Sequence, residues 1–457
     1  MSVLSDPFSL APYPEDYWTR IESRRCCKGT GASFKVNCVD VDSAQQATTT
    51  EFKTVAELQS YASISEANKR RSFKTRVISI DQANSWRPLN ITKEMLEEVM
   101  KFAFISAEFL EIALCFFEKS VSLEESFSSA PLFKCNADSI EIAYICKYVF
   151  FKPNDEEKDP WSLRQTGVFQ RYDLRTKQST WVFLHPTKKS LFQTRLEQIV
   201  TSQQECLKLQ AHPLLLHNVL LSTVFPQWRE CLAYYEHKVL RSSTSTMTVH
   251  VQDSLQIDHQ TLKSVRFVEN RCQSFQTIFH SLGKLFETVR KANNALLGAR
   301  ILEPPEKQAL DQLLDNYLTH LDAYRRNAAY LQGWAARTAQ LVIDTLSLIN
   351  ARTVQAQSEY MLSLTKSAVD DSTAVRVITI ATLIYLPPTF MATVLGMNPF
   401  FNEDSHNNLV VSHQFWIFVV CSVLLTVLTA AAVLYWWIRR RKLYGGFGQD
   451  DKAALSV

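Results

Sequence analysis

The chain has 457 residues, of which 46% are hydrophobic and 21% charged, and its formal net charge is +3. This balance argues against a nucleic-acid-binding protein, which would present a basic face. The charges are unevenly spread, because no Asp, Glu, Lys or Arg occurs between Arg376 and Glu403 or within residues 415–438. Each stretch is long enough to cross a hydrocarbon core, which needs roughly 20 apolar residues, and this argues against a purely soluble protein.

The first part of the chain predicts little regular structure. Ser, Thr, Asp and Gln are frequent in residues 1–74, and a basic run, residues 69–71, lies near the end of this segment. We expect residues 1–74 to form an irregular N-terminal arm with short helices.

An α/β domain is predicted for residues 75–230. Residues 75–80 (TRVISI) and 143–151 (AYICKYVFF) have the composition of strands, and residues 168–172 and 180–184 predict a hairpin. Thr92 has the position of a helix N-cap, with Glu94 in the first turn.

A helical stalk is predicted for residues 231–374. Pro304 and Pro305 mark a helix start, because proline is tolerated in a first turn, and no further proline occurs before Pro387. Apolar residues along this helix step by three and four: Leu314, Tyr317, Leu321, Tyr324, Ala328, Leu331 and Ala335. Such a heptad seam needs a second helix beside it, either the helix at 255–302 of the same chain or a helix of another copy.

A hairpin of two transmembrane helices is predicted for residues 375–438, with an outer loop at 396–414. The loop contains Glu403 and Asp404 but no Lys or Arg. Four basic residues follow the second span and begin a tail at 439–457: Arg439, Arg440, Arg441 and Lys442. The positive-inside rule therefore predicts a multi-pass protein of the lipid bilayer with both termini in the cytoplasm, and the plasma membrane is favoured.

The first span carries a stripe of residues that fall near one helix face: Ile378, Thr382, Leu386, Thr389 and Thr393. Hydroxyl groups at this spacing would face water or ions, because an unpaired polar group in hydrocarbon is costly. The alternative is that each threonine bonds to a carbonyl of its own helix. One hairpin cannot enclose a hydrated path, so a conducting protein would need several copies around an axis. The pair Pro387-Pro388 is expected to kink the helix.

The first span ends in Gly396-Met397-Asn398, and residues 379–398 read TIATLIYLPPTFMATVLGMN. This region, within about residues 372–442, resembles the CorA family of magnesium channels, which has two C-terminal membrane helices and a Gly-Met-Asn signature ending the first. Residues 78–90 (ISIDQANSWRPLN) and 160–169 (PWSLRQTGVF) are similar to the fungal CorA-like branch of that family.

The resemblance implies an α+β protein: a mixed α/β cytoplasmic domain, a long helical stalk and two C-terminal transmembrane helices, assembled as a homopentamer. Gly396, Met397 and Asn398 would determine ion selectivity at the outer mouth, and Asn398 would contact the metal through its hydration waters. Magnesium suits such an amide ring because it dehydrates reluctantly. Mg²⁺ is then the transported ion, and no cofactor is expected.

Other residues receive roles from the same resemblance. Glu403 and Asp404 would concentrate cations at the mouth, and Leu386 and Ile378 would form apolar constrictions. The basic residues 439–442 would form an inner collar, although they could equally serve only as a positive-inside anchor. Candidate magnesium-sensing carboxylates are carried by the stalk: Asp311, Asp315, Asp344, Glu359, Asp370 and Asp371. Each is also explained as a solvated charge on a helix face.

Two departures from the family pattern occur beside the signature: Leu395 stands where an aromatic residue is frequent, and the loop begins with residues 399–402 (PFFN). The sequence contains no P-loop, H-E-x-x-H or G-x-S-x-G motif, so an enzyme is not expected. The prediction is passive flux of hydrated divalent cations, magnesium first, through a homo-oligomeric pore. The alternative is a membrane-anchored cytoplasmic scaffold or sensor that conducts poorly.

Overall fold

The computed structural model describes residues 13–67, 73–121, 124–153, 159–248, 258–396, 401–403, 409–411, 413 and 415–444. The side chains of residues 64–67, 248, 395, 401–403, 409–410 and 440–444 are not described. The chain divides into two compact units, Met1–Ser347 and Leu348–Val457.

A mixed sheet forms the centre of the first unit. Its described strands are β2 (Val36–Asp42), β3 (Ala47–Phe52), β4 (Phe73–Asp81), β6 (Leu132–Cys135), β7 (Ser139–Phe151), β8 (Trp161–Asp173) and β9 (Gln178–His185). Their order in the sheet is β3-β2-β4-β9-β8-β7-β6. Only β4 and β9 pair in parallel among these described strands. A separate short pair joins β1 (Cys27–Lys28) to β5 (Leu89–Thr92).

Helices cover both faces of this sheet. The described helices of the first unit are α1 (Pro14–Ser23), α2 (Val55–Ala67), α3 (Lys93–Phe102), α4 (Phe109–Ala113), α5 (Leu191–Thr201), α6 (Gln203–Ala211), α7 (Leu215–Val224), α8 (Gln227–Thr248) and α9 (His259–Gly298). The long helix α10 (Pro304–Leu395) begins in the first unit and ends in the second.

The alternation of buried side chains along the strands explains the two covered faces. In β9, Trp181 and Phe183 belong to the core formed with α5 and α7–α10, whereas Val182 and Leu184 belong to the core formed with α1, α3 and α4. Because both faces are buried, the strands read as nearly continuous apolar runs. The predicted strands at 75–80 and 143–151 and the predicted hairpin are confirmed, as is the N-cap, since Thr92 Oγ1 accepts a hydrogen bond from the amide of Met95.

The expectation of an irregular arm at residues 1–74 is wrong for the part that the structure describes. Strand β2 pairs with β4 within the main sheet, and Ile21, Val36 and Phe52 are buried. The polar composition misled because β3 is an edge strand whose side chains are mostly exposed, and such a strand needs few apolar residues.

The heptad seam of α10 packs within its own chain. Leu314, Leu321, Ala328, Leu331 and Ala335 are buried in one core with residues of α9. Polar contacts cross between the same two helices, from Asn293 Nδ2 to Asp311 (2.9 Å) and from Arg290 to Asp315. The intrachain option of the sequence prediction is therefore confirmed.

The second unit contains the end of α10, two short strands and a final helix. Strands β10 (Phe401–Glu403) and β11 (Leu409–Val411) pair antiparallel, and α11 (Phe415–Tyr444) follows. In α10, the helix continues through Pro387 and Pro388 to Leu395. The fold is therefore a mixed α/β unit followed by a long helix and a further C-terminal helix.

Candidate ion pathway at the end of the long helix

Two of the described helices are long and apolar enough to cross a membrane. One is α10, and the other is α11 over Phe415–Arg439. The apolar part of α10 begins after Arg376, from where no charged residue occurs before Glu403. The apolar side chains here are exposed in the single chain, including Ile378, Leu386 and Val427. Lipid or other protein chains must therefore cover them, since exposed apolar surface on this scale is unfavourable in water.

The structure brings the five predicted pore-lining residues onto one face of α10. With 3.6 residues per turn, Ile378, Thr382, Leu386, Thr389 and Thr393 fall within an arc of roughly 80°. All five are exposed in the single chain. We call this face the threonine stripe; it combines hydroxyl oxygens with two large apolar side chains.

Each hydroxyl of the threonine stripe donates to a carbonyl of its own helix. Thr382 Oγ1 donates to the carbonyl of Thr379 (2.9 Å), and Thr393 Oγ1 donates to that of Thr389 (2.8 Å). Thr389 bonds in the same way to Tyr385. The alternative identified from the sequence is thus realised in the single chain. The bond uses the hydroxyl hydrogen and leaves oxygen lone pairs, so the stripe can still accept hydrogen bonds from water.

Gly396 ends α10 in the left-handed region, with φ of +59°. Glycine is favoured there because a Cβ atom would be strained, and a left-handed glycine is a common end of a helix. From the sequence, Gly396 was expected to contribute to selectivity, and its role in ending the helix was not predicted. Met397 and Asn398 lie outside the described residues, as does Asp404.

The remaining predicted site residues lie before α11 and in its last turns. Glu403 ends β10, where its backbone pairs with Leu409 of β11. Arg439 is exposed near the end of α11. Arg440, Arg441 and Lys442 continue that helix, and their side chains lie outside the described part of the chain.

Four of the candidate sensing carboxylates of the stalk have recorded partners within the chain: Asp311, Asp315, Asp344 and Glu359. Burial raises the pKa of Asp311, but hydrogen bonds from Lys307 and Asn293 outweigh this effect and lower it overall. Asp344 and Glu359 each accept a hydrogen bond from a glutamine four residues earlier on α10. Among the described residues, no group of three or more His, Cys, Asp or Glu side chains is placed to hold a metal ion.

Comparison with known proteins identifies the family. The family described as CorA-like transporters matches residues 15–247, and the family described as CorA-like Mg²⁺ transporter protein matches residues 299–440. No curated protein matches the chain.

Three solved structures are similar at low identity. The structure of the full-length CmaX protein is 11% identical, with 90% of this chain and 99% of that chain covered and a TM-score of 0.37. The soluble domain of CorA from Methanocaldococcus jannaschii is 10% identical, with 68% and 95% covered and a TM-score of 0.31. The ZntB cytoplasmic domain from Vibrio parahaemolyticus is 10% identical, with 71% and 100% covered and a TM-score of 0.28.

The apolar helices and the family matches together define a membrane protein of the transporter class. The chain belongs to the family of CorA-like transporters, because that family matches more than half of its length.

Proposed function

We propose that the chain forms a homopentameric channel through which Mg²⁺, ahead of other divalent cations, crosses a membrane down its electrochemical gradient. One observation carries this proposal: α10 places three threonine hydroxyls and two large apolar side chains on one exposed face within a segment free of charge. Several copies of this face around an axis would enclose a wet path, which a single hairpin cannot form.

The chemistry of the stripe suits a hydrated cation. The threonine oxygens keep lone pairs after bonding to their own helix, and these can accept hydrogen bonds from the waters that Mg²⁺ retains. Leu386 and Ile378 lie on the same face and would narrow the path at two levels, where dewetting can stop flow.

The outer mouth, in this proposal, is formed by the Gly-Met-Asn signature. A ring of Asn398 amide oxygens would accept hydrogen bonds from the hydration shell without removing it. Gly396 ends the helix in the left-handed region. Glu403 and Asp404 would raise the local cation concentration.

The orientation of the chain in the membrane follows from the charges that flank the second span. The basic residues 439–442 follow the second span and the acidic loop precedes it, so both termini would face the cytoplasm. We propose the plasma membrane as the site of action and the inner basic residues as a collar around the exit of the path.

Uptake of Mg²⁺ into vesicles containing the purified protein tests this function. Asn398→Ala should abolish uptake, whereas Asn402→Ala, which makes the same chemical change in the same loop, should retain it. Gly396→Ala should also reduce uptake, because alanine is strained in the left-handed turn. Both variants must reach the vesicle membrane and assemble as the parent does. Equal uptake by the parent and Asn398→Ala would contradict the proposal.

A second candidate function is favoured by the intrahelical threonine bonds. Hydroxyls that bond to their own helix are also compatible with a helix that only anchors a scaffold or sensor in the membrane. This alternative predicts no measurable flux by the parent protein in vesicles, together with retained binding of a partner by its N-terminal unit.

A further inference from the structure

The first unit contains a large cavity that neither the ion pathway nor the family comparisons assign. Its volume is about 980 Å³, at the upper end of the roughly 300–1,000 Å³ of small-molecule sites. It lies where the end of α1, the turn between β4 and β5 and the segment after α4 meet strand β8 and the residues that follow β7 and β9. The backbone amide of Lys119 donates to the carbonyl of Trp86 (2.9 Å), which joins two of these segments.

The lining of this cavity is strongly basic. Six cationic side chains contribute to it: Arg24, Arg25, Arg87, Lys119, Lys152 and Arg164. Glu118 is shared by Arg25 (3.4 Å) and Arg87 (2.8 Å), and Glu124 pairs with Arg24. Six cations against these two carboxylates leave an excess of four positive charges. Such an excess in one concave site favours a multiply charged anion.

One of the cations, Arg164, is poorly compensated where it lies. The Arg164 guanidinium lies over the Phe150 ring (3.9 Å), its Nη1 donates to Thr187 (3.2 Å), and its Nε is buried without a hydrogen-bond partner among the described residues. Burial lowers the pKa of Arg164. A bound anion would supply the missing compensation.

Arg25 occupies a backbone position that favours glycine. Its φ is +52°, its amide donates to the carbonyl of Glu22, and the amide of Cys26 donates to that of Ile21 (both 3.0 Å). These bonds make Arg25 the left-handed residue that closes α1 in a Schellman motif. An arginine there costs backbone energy that glycine would avoid, yet its side chain extends into the rim of the cavity with 78% exposure.

An aromatic face lies on the same rim. Trp86 lines the cavity and is 44% exposed, although large apolar rings are usually buried. Its amide bonds to Asn84 Oδ1 (3.0 Å), which fixes the turn that carries it. A flat aromatic group of a ligand can stack on such a ring while its charged part contacts the arginines.

We propose that this cavity binds a nucleoside polyphosphate, with the phosphates against the arginines and lysines and the base on Trp86. The proposal does not depend on the proposed transport function. The size of the cavity, its charge excess and its aromatic rim together distinguish this ligand from a single small anion. The low net charge of the whole chain argues against a nucleic acid as the ligand.

The chain offers a matched control for Arg25. Arg300 has φ of +58° and closes α9 in the same motif, since its amide donates to Leu297 (2.9 Å) and that of Ile301 to Leu296 (3.0 Å). Arg300 is exposed and does not line the cavity. Arg25→Gly and Arg300→Gly therefore remove the same charge and the same backbone strain, and neither should lower the melting temperature.

Calorimetric titration of the full-length protein in detergent with magnesium-free ATP tests the proposal. We expect saturable binding that Arg25→Gly weakens about tenfold and Arg300→Gly leaves within about twofold, because charge-assisted bonds are lost only from the cavity. Sodium tripolyphosphate, which has no base, should bind several-fold more weakly than ATP, and Trp86→Leu should remove that difference.

Absence of ATP binding, or equal binding by the two glycine variants, would overturn the site. Equal affinity for tripolyphosphate and ATP would overturn the assignment of a nucleoside. Inositol hexakisphosphate and vesicles containing phosphatidylinositol 4,5-bisphosphate are tested as alternative phosphate ligands. If the protein binds only one of these and not ATP, the assignment of a nucleoside is also overturned. No ion flux is measured, so failure here leaves the transport proposal unaffected.

Discussion

Two buried histidines in the first unit depend on remaining uncharged. His217 bonds to Tyr144 (2.7 Å) and Gln170 (2.9 Å), and His185 contacts Ser79 and Ser190. Burial lowers the pKa of each to about 3, from 6.5 in an exposed histidine. Between pH 6.5 and 3 the unfolded chain binds protons that the folded chain does not. The free energy of unfolding therefore falls as the pH decreases through this window.

Replacement of His217 by glutamine should reduce this acid sensitivity. One such histidine contributes about 1.4 kcal/mol per pH unit, so wild type should lose about 2 kcal/mol more than the variant between pH 7 and pH 5. Denaturant unfolding at the two pH values measures the difference. The same substitution at the exposed His280 is the control, and this variant should lose as much free energy of unfolding between the two pH values as wild type does. An equal loss in wild type and His217→Gln would contradict this explanation.

At the residue scale, the sequence predicted the stripe but left two alternatives open for the bonding of its hydroxyls. Spacing alone places Thr382, Thr389 and Thr393 near one face of any helix. Whether a hydroxyl donates to its own helix depends on its side-chain rotamer, which spacing does not determine. Arg25 was missed for a related reason, because its left-handed backbone arises from the end of α1, a helix that was not predicted.

Helices α9 and α10 pack against each other in the core of the first unit. Leu321 is buried, and its Cδ2 would lie 3.6 Å from a Cβ built on Gly283 of α9. Around it, the Tyr317 ring packs on that of Phe286, with centroids 5.6 Å apart, and Tyr324 lies near Phe279. A side chain at this seam therefore has close neighbours on the facing helix.

Leu321→Ala should lower the free energy of unfolding of the first unit by about 2–5 kcal/mol, because it leaves a cavity in a packed core. Denaturant unfolding of the full-length protein in detergent, followed by tryptophan fluorescence, measures this loss. Leu240→Ala, at a site that is about half exposed, provides a control that should change stability by less than about 0.5 kcal/mol. A Leu321→Ala loss no larger than that of the control would show that the seam is not packed.

At the element scale, the strands that were predicted correctly are the ones whose side chains are buried. The strands around Val77, Ile145 and Val182 are buried on both faces and were recognisable as apolar runs. Strand β3 (ATTTEF) lies at the edge of the sheet and β2 (VNCVDVD) beside it, and both were missed in a polar context. The alternation of Val39 and Val41 with Asp40 and Asp42 in β2 was the available signal.

At the scale of the whole molecule, the single chain leaves a large apolar surface uncovered. The end of α10 and most of α11 expose apolar side chains along their length, and no contacts within the described part of the second unit cover them. Lipid can cover the apolar faces, but the threonine stripe is suited to water. This difference between faces is the physical basis for proposing an oligomer around a wet axis.

At this scale, the sequence predicted the membrane spans well, because a membrane requires an uninterrupted apolar segment. A span must be apolar throughout, so the charge-free stretches were evident. The basic cavity was not evident, because Arg25, Arg87 and Arg164 are far apart in the chain and meet only after the sheet forms.

Thiol accessibility on opposite faces of α10 tests the central claim, that the threonine stripe faces a shared conducting path. Thr393 belongs to the stripe, and Met391, two residues earlier, points to the opposite side because adjacent residues differ by roughly 100°. Each is replaced by cysteine in a Cys421→Ser background, and Mg²⁺ influx into vesicles is recorded before and after a charged, membrane-impermeant methanethiosulfonate. We predict that the reagent reduces influx through Thr393→Cys by more than about half, as expected for a pore-facing site, and leaves Met391→Cys unchanged. Equal sensitivity of the two variants, or block only at Met391, would contradict the account.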